Sequence, residues 1–283
     1  MGVYEDITKK IIAAIKGGVD GSGFKMPWHG AGGRPSNIAT GRAYRGVNTV
    51  ALWCEAQDKG YASDTWGTFK QWQDKGAQVR KGEKGSTIVF WKDLPRKKDS
   101  DDKDKRFVMR TSRAFNADQV DGYRPPFHIV EEPDRIPDVE AFVSNLPGLD
   151  LRFGGGRAYY NPSNDFVQMP KLEYFFSSHG YYSTLLHECA HWSGHDDRMA
   201  RDFSGRFGSE AYAFEELVAE LSAAFLCGDL GISNEPREDH AEYIAGWLRV
   251  LKKDSRAIFK ASSEAAKAAD FLCTFSKKEK EAA

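Results

Sequence analysis

Apolar residues recur at helical spacing in the first segment, with Ile7, Ile11, Ile12 and Ile15 along residues 4–17 and Gly17-Gly18 placed to end the run. Residues 48–59 and 65–75 read as two further helices, whereas residues 20–36 are a Gly- and Pro-rich loop. Residues 76–91 have hairpin character: Gly82 and Gly85 flank a turn that feeds an apolar strand, Ser86–Trp91. The mixed-charge run 97–106 reads as a solvated hairpin tip before a returning strand at 107–116. Pro125, Pro126, Pro133 and Pro137 then mark a linker. Beyond it come a short helix near 138–145 and two short strands within 157–169 around an Asn-Pro-Ser-Asn turn. Helices near 181–193, 209–228, 236–252 and 255–271 complete the chain, without internal repeats. The pattern predicts an α+β protein of two domains: a small α+β domain over residues 1–127, a linker over 128–137, and a mainly helical domain over 138–283.

Composition narrows the class. Apolar residues make up 41% of the 283 and charged residues 29%, which excludes a wholly disordered chain. No stretch approaches the ~18 consecutive apolar residues of a spanning helix, so a membrane protein is not expected. The opening residues carry acids before their apolar positions and no small-residue cleavage site, unlike a secretory signal, and lack the Ser/Thr of a myristoylation motif. Cys54, Cys189, Cys227 and Cys273 are far apart and form no Cys-x-x-Cys pair. A reduced, cytoplasmic protein without disulfides is expected.

The net charge of −1 conceals an asymmetry. Residues 1–127 hold 23 Lys+Arg against 15 Asp+Glu, and residues 128–283 hold 17 against 26. Residues 22–92 are more extreme, with 11 against 5, and include five of the seven tryptophans. Basic side chains suit phosphates, and interleaved aromatics suit the open faces of unpaired bases. Each tryptophan taken singly reads as core, but the cluster with its basic neighbours favours single-stranded DNA. Arg34, Arg42, Arg45, Arg80, Lys81 and Lys84 are the phosphate candidates; Trp28, Tyr44, Trp66 and Trp72 are the stacking candidates.

The sharpest motif is His187-Glu188-Cys189-Ala190-His191, an H-E-x-x-H sequence. Residues four apart share one helix face, so both imidazoles can reach one metal from a rigid element. Glu188 projects beside the position of a metal-polarised water and is the candidate general base. Gly194 stands where such a helix should end. A third ligand is needed, and three residues qualify. His195 extends the spacing to i, i+4, i+8. Glu216 and Glu220 share a face of an otherwise apolar helix, where a buried acid needs a cation or a donor. One acid on the metal and the other orienting a ligand histidine suits that pair. Glu215 reads as a solvated helix charge. His179, Tyr181, His195 and His240 are unranked candidates for stabilising an oxyanion. Either strand of the hairpin, Arg157–Tyr160 or Phe166–Met169, could be an edge that pairs with extended substrate.

The helix carrying Glu216 and Glu220 resembles the third-ligand helix of gluzincins, a likeness that assigns the first acid to the metal. On a larger scale, WHGAGGRPSNIATGRAYRGVNTVALW, TWGTFKQWQDKGAQVRKGEKGSTIVFWK, STLLHECAHWSGH and EELVAELSAAFLC together resemble the ArdC-type antirestriction proteins of conjugative plasmids. Their N-terminal part is similar to the accessory region of TraC-type plasmid primases. The resemblance spans nearly the whole chain. It implies an N-terminal single-stranded-DNA-binding domain, a zincin-like (gluzincin-type) metallopeptidase domain, and protection of incoming plasmid DNA from host restriction during conjugation. The expected centre holds Zn2+, with Mn2+ or Co2+ also accommodated, at His187, His191 and Glu216, with Glu188 catalytic and Glu220 or His195 supporting or replacing the third ligand. Expected partners are single-stranded DNA and host restriction-system or other DNA-bound proteins. Two other functions fit the same residues: a DNA-dependent protease of DNA-bound proteins, or a DNA-binding protein whose metal is structural.

Overall fold

The computed structural model describes residues 2–20, 26–29, 33–93, 107–123, 136–175, 177–203, 205, 209–234 and 240–276. The mixed-charge run and most of the expected linker lie outside them. Helix α1 (Val3–Asp20) turns Ile7, Ile11 and Ile15 inward and continues through Gly17-Gly18. A glycine pair weakens a helix by about 1 kcal/mol per residue without forbidding it, so the expected stop does not occur. Helix α2 (Val47–Lys59) ends at Gly60 in the left-handed conformation (φ 67°).

Residues 65–75 divide, against the expectation of one helix. Strand β2 (Thr65–Thr68) pairs on both sides, parallel to β1 (Ser36–Asn37) and antiparallel to β5 (Phe107–Asn116). Helix α3 (Phe69–Asp74) starts only after Thr68, whose hydroxyl accepts from the Gln71 N–H in a capping box. The expected hairpin at 76–91 is also absent. Strand β3 (Gln78–Val79) pairs with β6 (Val120–Asp121), whereas β4 (Ser86–Asp93) pairs along its length with β5. The two glycines therefore redirect the chain from one sheet to another. The main sheet has the order β1-β2-β5-β4. Asn48 fixes α2 to it by donating to the Val89 carbonyl (2.7 Å) and accepting from the Val89 N–H (2.8 Å).

The second half begins with α4 (Pro137–Ser144). A three-stranded sheet follows, made of β7 (Asp150–Phe153), β8 (Tyr159–Asn161) and β9 (Phe166–Met169) in the order β7-β9-β8. Because β9 pairs on both sides, Phe166–Met169 is not an edge; β8 is. Helices α5 (Ser178–Ser193), α6 (Glu210–Leu230), α7 (His240–Lys253) and α8 (Ala257–Ser276) form the remainder, with α6 packed against the other three. Every residue from Glu215 to Cys227 is buried, as expected of a helix that is apolar all round.

The principal core is continuous across both halves, running from Ile7, Ile11 and Trp28 through Trp53 to Phe225, Trp247 and Leu272. Trp53 meets Phe225 at a ring separation of 5.8 Å, and Trp28 meets Trp247 at 6.3 Å. Among the described residues no helix is long and apolar enough to cross a membrane.

Candidate metal centre

Helix α5 is N-capped by Ser177, whose hydroxyl accepts from the Gly180 N–H, and its i, i+4 spacing brings the rings of His187 and His191 to 4.7 Å between centroids. Helix α6 crosses beneath and presents Glu216 to both. The Nε2 atoms of the two histidines are 3.0 Å apart, and each is 3.5 Å from an oxygen of Glu216. One ligating atom from each of these three buried residues lies within 4.8 Å of the others. Neither His195 nor Glu220 belongs to that set. His195 lies past the end of α5, its Nδ1 accepting from the Asp197 N–H.

The outer ring nitrogens face acids. Nδ1 of His191 donates to Glu215 Oε1 at 3.2 Å, and Nδ1 of His187 is buried, 3.6 Å from Glu220 Oε2. A proton on each Nδ1 leaves both Nε2 lone pairs turned toward each other and toward a carboxylate. Three electron-pair donors at such range require a shared proton or a cation, so the donor set fits a divalent metal. Electrostatics agree. Burial alone would lower the His191 imidazole, but Glu216 and Glu215 outweigh it and raise the pKa to about 10. Burial would likewise raise Glu216, and the two histidines instead hold its carboxyl well below the usual range.

Glu215 is not a solvated helix charge. It is buried and accepts from the Arg201 guanidinium at 2.9–3.2 Å as well as from His191. An acid adjacent to the ligand on a helix without a solvated side has nowhere else to go. The loop after α5 can close this tightly because Gly194 has no side chain: a Cβ there would lie 2.7 Å from Phe203 and 2.8 Å from Arg201.

A cavity of about 200 Å³ opens on the centre, lined by His187, Glu188, His191 and Glu216 together with Tyr159 and Tyr160 of β8 and Tyr212 and Tyr243 of α6 and α7. None of the four oxyanion candidates is seen there: His179 accepts from the Ser233 N–H, Tyr181 packs against Phe175 and Tyr182, His195 lies outside, and the His240 side chain is outside the described residues. Tyr212 is the hydroxyl that sequence reasoning missed. Its signal was the i, i+4 spacing from Glu216. Burial first, and the neighbouring Glu216 second, push its phenol well above the ordinary value, so it stays protonated. Cys189 is buried and its thiol is pushed up by burial, which makes it a packing residue.

The nucleic-acid candidates separate into two groups. Arg42, Lys81 and Lys84 are exposed, and Arg80 is exposed beside Glu83 and Asp121. Arg34 is instead buried against Asp229 of α6 (2.8 Å), with its guanidinium 4.6 Å above the Phe225 ring, and Arg45 pairs with Asp270 of α8. Trp28, Trp66 and Trp72 are at most 1% exposed and offer no ring face to a base. Tyr44 is half-buried, its hydroxyl accepting from Asn37. The exposed aromatics of the basic region, among the described residues, are Phe69, Phe90 and Trp91. Phe69 borders a shallow concavity with Phe115, Arg80 and Lys81.

Residues 1–120 match the model of the N-terminal domain of anti-restriction factor ArdC, and residues 137–264 match that of a zincin-like metallopeptidase. A metal-free crystal structure of the antirestriction protein ArdC from the R388 plasmid aligns with a TM-score of 0.83 at 40% identity, covering 98% of this chain and 99% of that one. The chain belongs to the ArdC family of antirestriction proteins. A Mn(II)-bound structure of the R388 ArdC protein aligns with a TM-score of 0.79 at 41% identity, covering 97% and 98%. The y4eC protein of Sinorhizobium fredii is 48% identical over 95% of this chain and 91% of its own length. DNA primase TraC of Escherichia coli is 34% identical over 98% of this chain, which spans only 27% of that primase. The ArdC fold is thus found both as a nearly whole protein and as one part of a much longer one.

Proposed function

We propose that this ArdC-family protein binds single-stranded DNA through its basic N-terminal region and carries a working metallopeptidase centre, and that it protects incoming plasmid DNA from restriction in the recipient cytoplasm. The observation that carries the catalytic part is the convergence of His187, His191 and Glu216 within 4.8 Å beside Glu188 in one cavity. His187, His191 and Glu216 would hold a divalent ion, for which two imidazoles and a carboxylate suit Zn2+ and accommodate Mn2+ or Co2+. That ion supplies Lewis-acid polarisation of a water and of the scissile carbonyl. Glu188 takes the proton of the attacking water on its carboxylate and returns it to the leaving amine nitrogen. The protonated Tyr212 hydroxyl donates to the carbonyl oxygen as negative charge develops there. Strand β8, an edge of its sheet among the described residues and beside the cavity, offers backbone groups to an extended peptide. Candidate protein substrates are host restriction subunits and other proteins on the DNA.

For the DNA part, support comes from the exposed cations Arg42, Arg80, Lys81 and Lys84 and from the Phe69 ring beside Arg80 and Lys81. Glu188→Ala separates chemistry from binding. The expected outcome is lost hydrolysis of DNA-bound proteins in vitro and lost protection of transferred DNA in cells, with oligonucleotide affinity unchanged. Full protection by Glu188→Ala would instead assign the metal a structural role.

A further inference from the structure

The metal centre is built within the zincin-like region, yet one of its supports reaches in from the other end of the chain. Glu220, which faces the outer nitrogen of His187, is 2% exposed, and its Oε1 accepts two hydrogen bonds from the N-terminal region. The donors are the indole Nε1–H of Trp28 at 2.9 Å and Nε2 of His29 at 3.1 Å. The His29 tautomer follows from its other side. The Met26 N–H donates to His29 Nδ1 at 3.1 Å, so Nδ1 carries a lone pair and Nε2 carries the proton. Both side chains are buried, and Trp28 is wedged against Trp247 of α7. Two donors on Oε1 fix the plane of the carboxylate and leave Oε2 turned to His187 Nδ1 at 3.6 Å. At that distance, longer than a hydrogen bond, the buried carboxylate acts on His187 through its charge, favouring the tautomer with the proton on Nδ1 and the Nε2 lone pair turned to the centre.

We propose that Trp28 and His29 are positioning residues of the metal centre, acting through Glu220 on His187, so that the zincin-like region is incomplete without the N-terminal segment. The proposal rests on reading His187 as a ligand. It gives Trp28, a candidate for base stacking by sequence, and its neighbour His29 a role inside the protein. It also ties the region that would touch DNA to the geometry of the metal centre through two consecutive contacts, Trp28 and His29 to Glu220 and Glu220 to His187.

The test is Mn2+ affinity of the full-length protein, measured by calorimetry and by the electron paramagnetic resonance of bound ion, with thermal unfolding of the metal-free protein in parallel. Trp28→Phe keeps the ring and removes the N–H; His29→Leu removes the second donor; His29→Gln restores a donor. Trp28→Phe and His29→Leu should each weaken Mn2+ binding roughly 10- to 100-fold, His29→Gln should recover most of the loss, and Trp28→Phe should have no further effect in a Glu220→Gln background. A purely structural role predicts lowered unfolding temperatures with affinities within about twofold of the parent, and that result overturns the proposal while leaving the metal centre intact. Trp28→Phe preserves packing, so the comparison stands even where His29→Leu does not fold. A parent protein that binds no Mn2+ or Zn2+ removes both the proposal and the metal reading beneath it.

Discussion

Glu215→Ala is expected to be among the most damaging single substitutions outside the ligands themselves. The Glu215 and Arg201 side chains are 9% and 7% exposed and share three nitrogen–oxygen contacts between 2.9 and 3.2 Å. Removing the acid leaves a guanidinium in the interior with the Ser193 hydroxyl, the Ala190 carbonyl and the weak Met199 sulfur as its remaining acceptors among the described residues. Breaking a buried pair from one side costs about 3–5 kcal/mol. The exposed pair Lys70–Asp74, at 82% and 59% exposure, is the internal control, because such pairs contribute at most about 1 kcal/mol. Urea unfolding of metal-free protein measures both. A second effect appears with metal: His191 loses its Nδ1 partner, and a roughly 10- to 100-fold weaker site removes a further ~1.4–2.7 kcal/mol of ligand-linked stability in excess ion. Arg201→Met in the Glu215→Ala background should recover part of the metal-free loss by removing the stranded charge, but none of the metal-linked loss. A Glu215→Ala protein within about 1 kcal/mol of the parent, or no more affected than Lys70→Ala, would refute the reasoning.

Three further outcomes follow from other parts of the molecule. Gly228 of α6 lies under the backbone of Arg34, where a Cβ would sit 3.1 Å from the nitrogen and 3.3 Å from Cα; Gly228→Val should force the two regions apart and lower stability by about 1–3 kcal/mol in denaturant unfolding, and a neutral result would mean that they do not touch in solution. The Arg198 guanidinium first, and the Tyr160 hydroxyl with it, hold the Asp165 carboxyl below its ordinary value; because the folded value is the lower one, its contribution is present above about pH 3.9 and is lost as pH falls through the folded value. Asp165→Asn should therefore be less stable than the parent at neutral pH, with the gap closing only in acid, as followed by unfolding midpoints across pH. Phe69→Ala should weaken oligonucleotide binding by about 1–3 kcal/mol, and Lys81→Ala should flatten the log–log salt dependence by about 0.7, whereas the buried Trp66 should tolerate Phe with unchanged affinity in fluorescence anisotropy.

The parts legible in sequence are those where a local rule acts alone. His187 and His191 share a face because a helix has 3.6 residues per turn, and no tertiary contact can change that. Glu216 meets both imidazoles, whereas its spacing alone left Glu220 equally placed and only the gluzincin resemblance put Glu216 first. Readings failed where tertiary context decided. Thr65–Thr68 became a strand because β1 and β5 pair with it on either side, and Gly82 and Gly85 carry the chain between sheets because β5 outcompetes β3 for β4. Glu215 was misjudged by its neighbour. Two consecutive acids suggest one inside and one outside, a rule that holds only for a helix with an outside. The apolarity of residues 217–227, broken only by Glu220 and Ser222, was the available warning.

The charge asymmetry between the halves carries a related lesson. A surplus of positive charge in residues 1–127 and of negative charge beyond them suggests a DNA-facing module tethered to an acidic one. In the folded protein part of that complementarity is satisfied internally. Arg34 reaches Asp229 and Arg45 reaches Asp270, so two of the six phosphate candidates pair with acids of α6 and α8, Arg34 in the interior and Arg45 at the surface. The buried Arg34 pair stacks on Phe225 within a core that neither half closes alone, while the exposed Arg45 pair contributes little by itself. The cations proposed for DNA, Arg42, Arg80, Lys81 and Lys84, are those with no counterpart in the acidic half among the described residues. Opposite charge on the two regions thus acts in part as a complementary interface within the protein. A basic region docked this way meets the His187–His191–Glu216 cluster through the buried side chains of Trp28, His29 and Glu220.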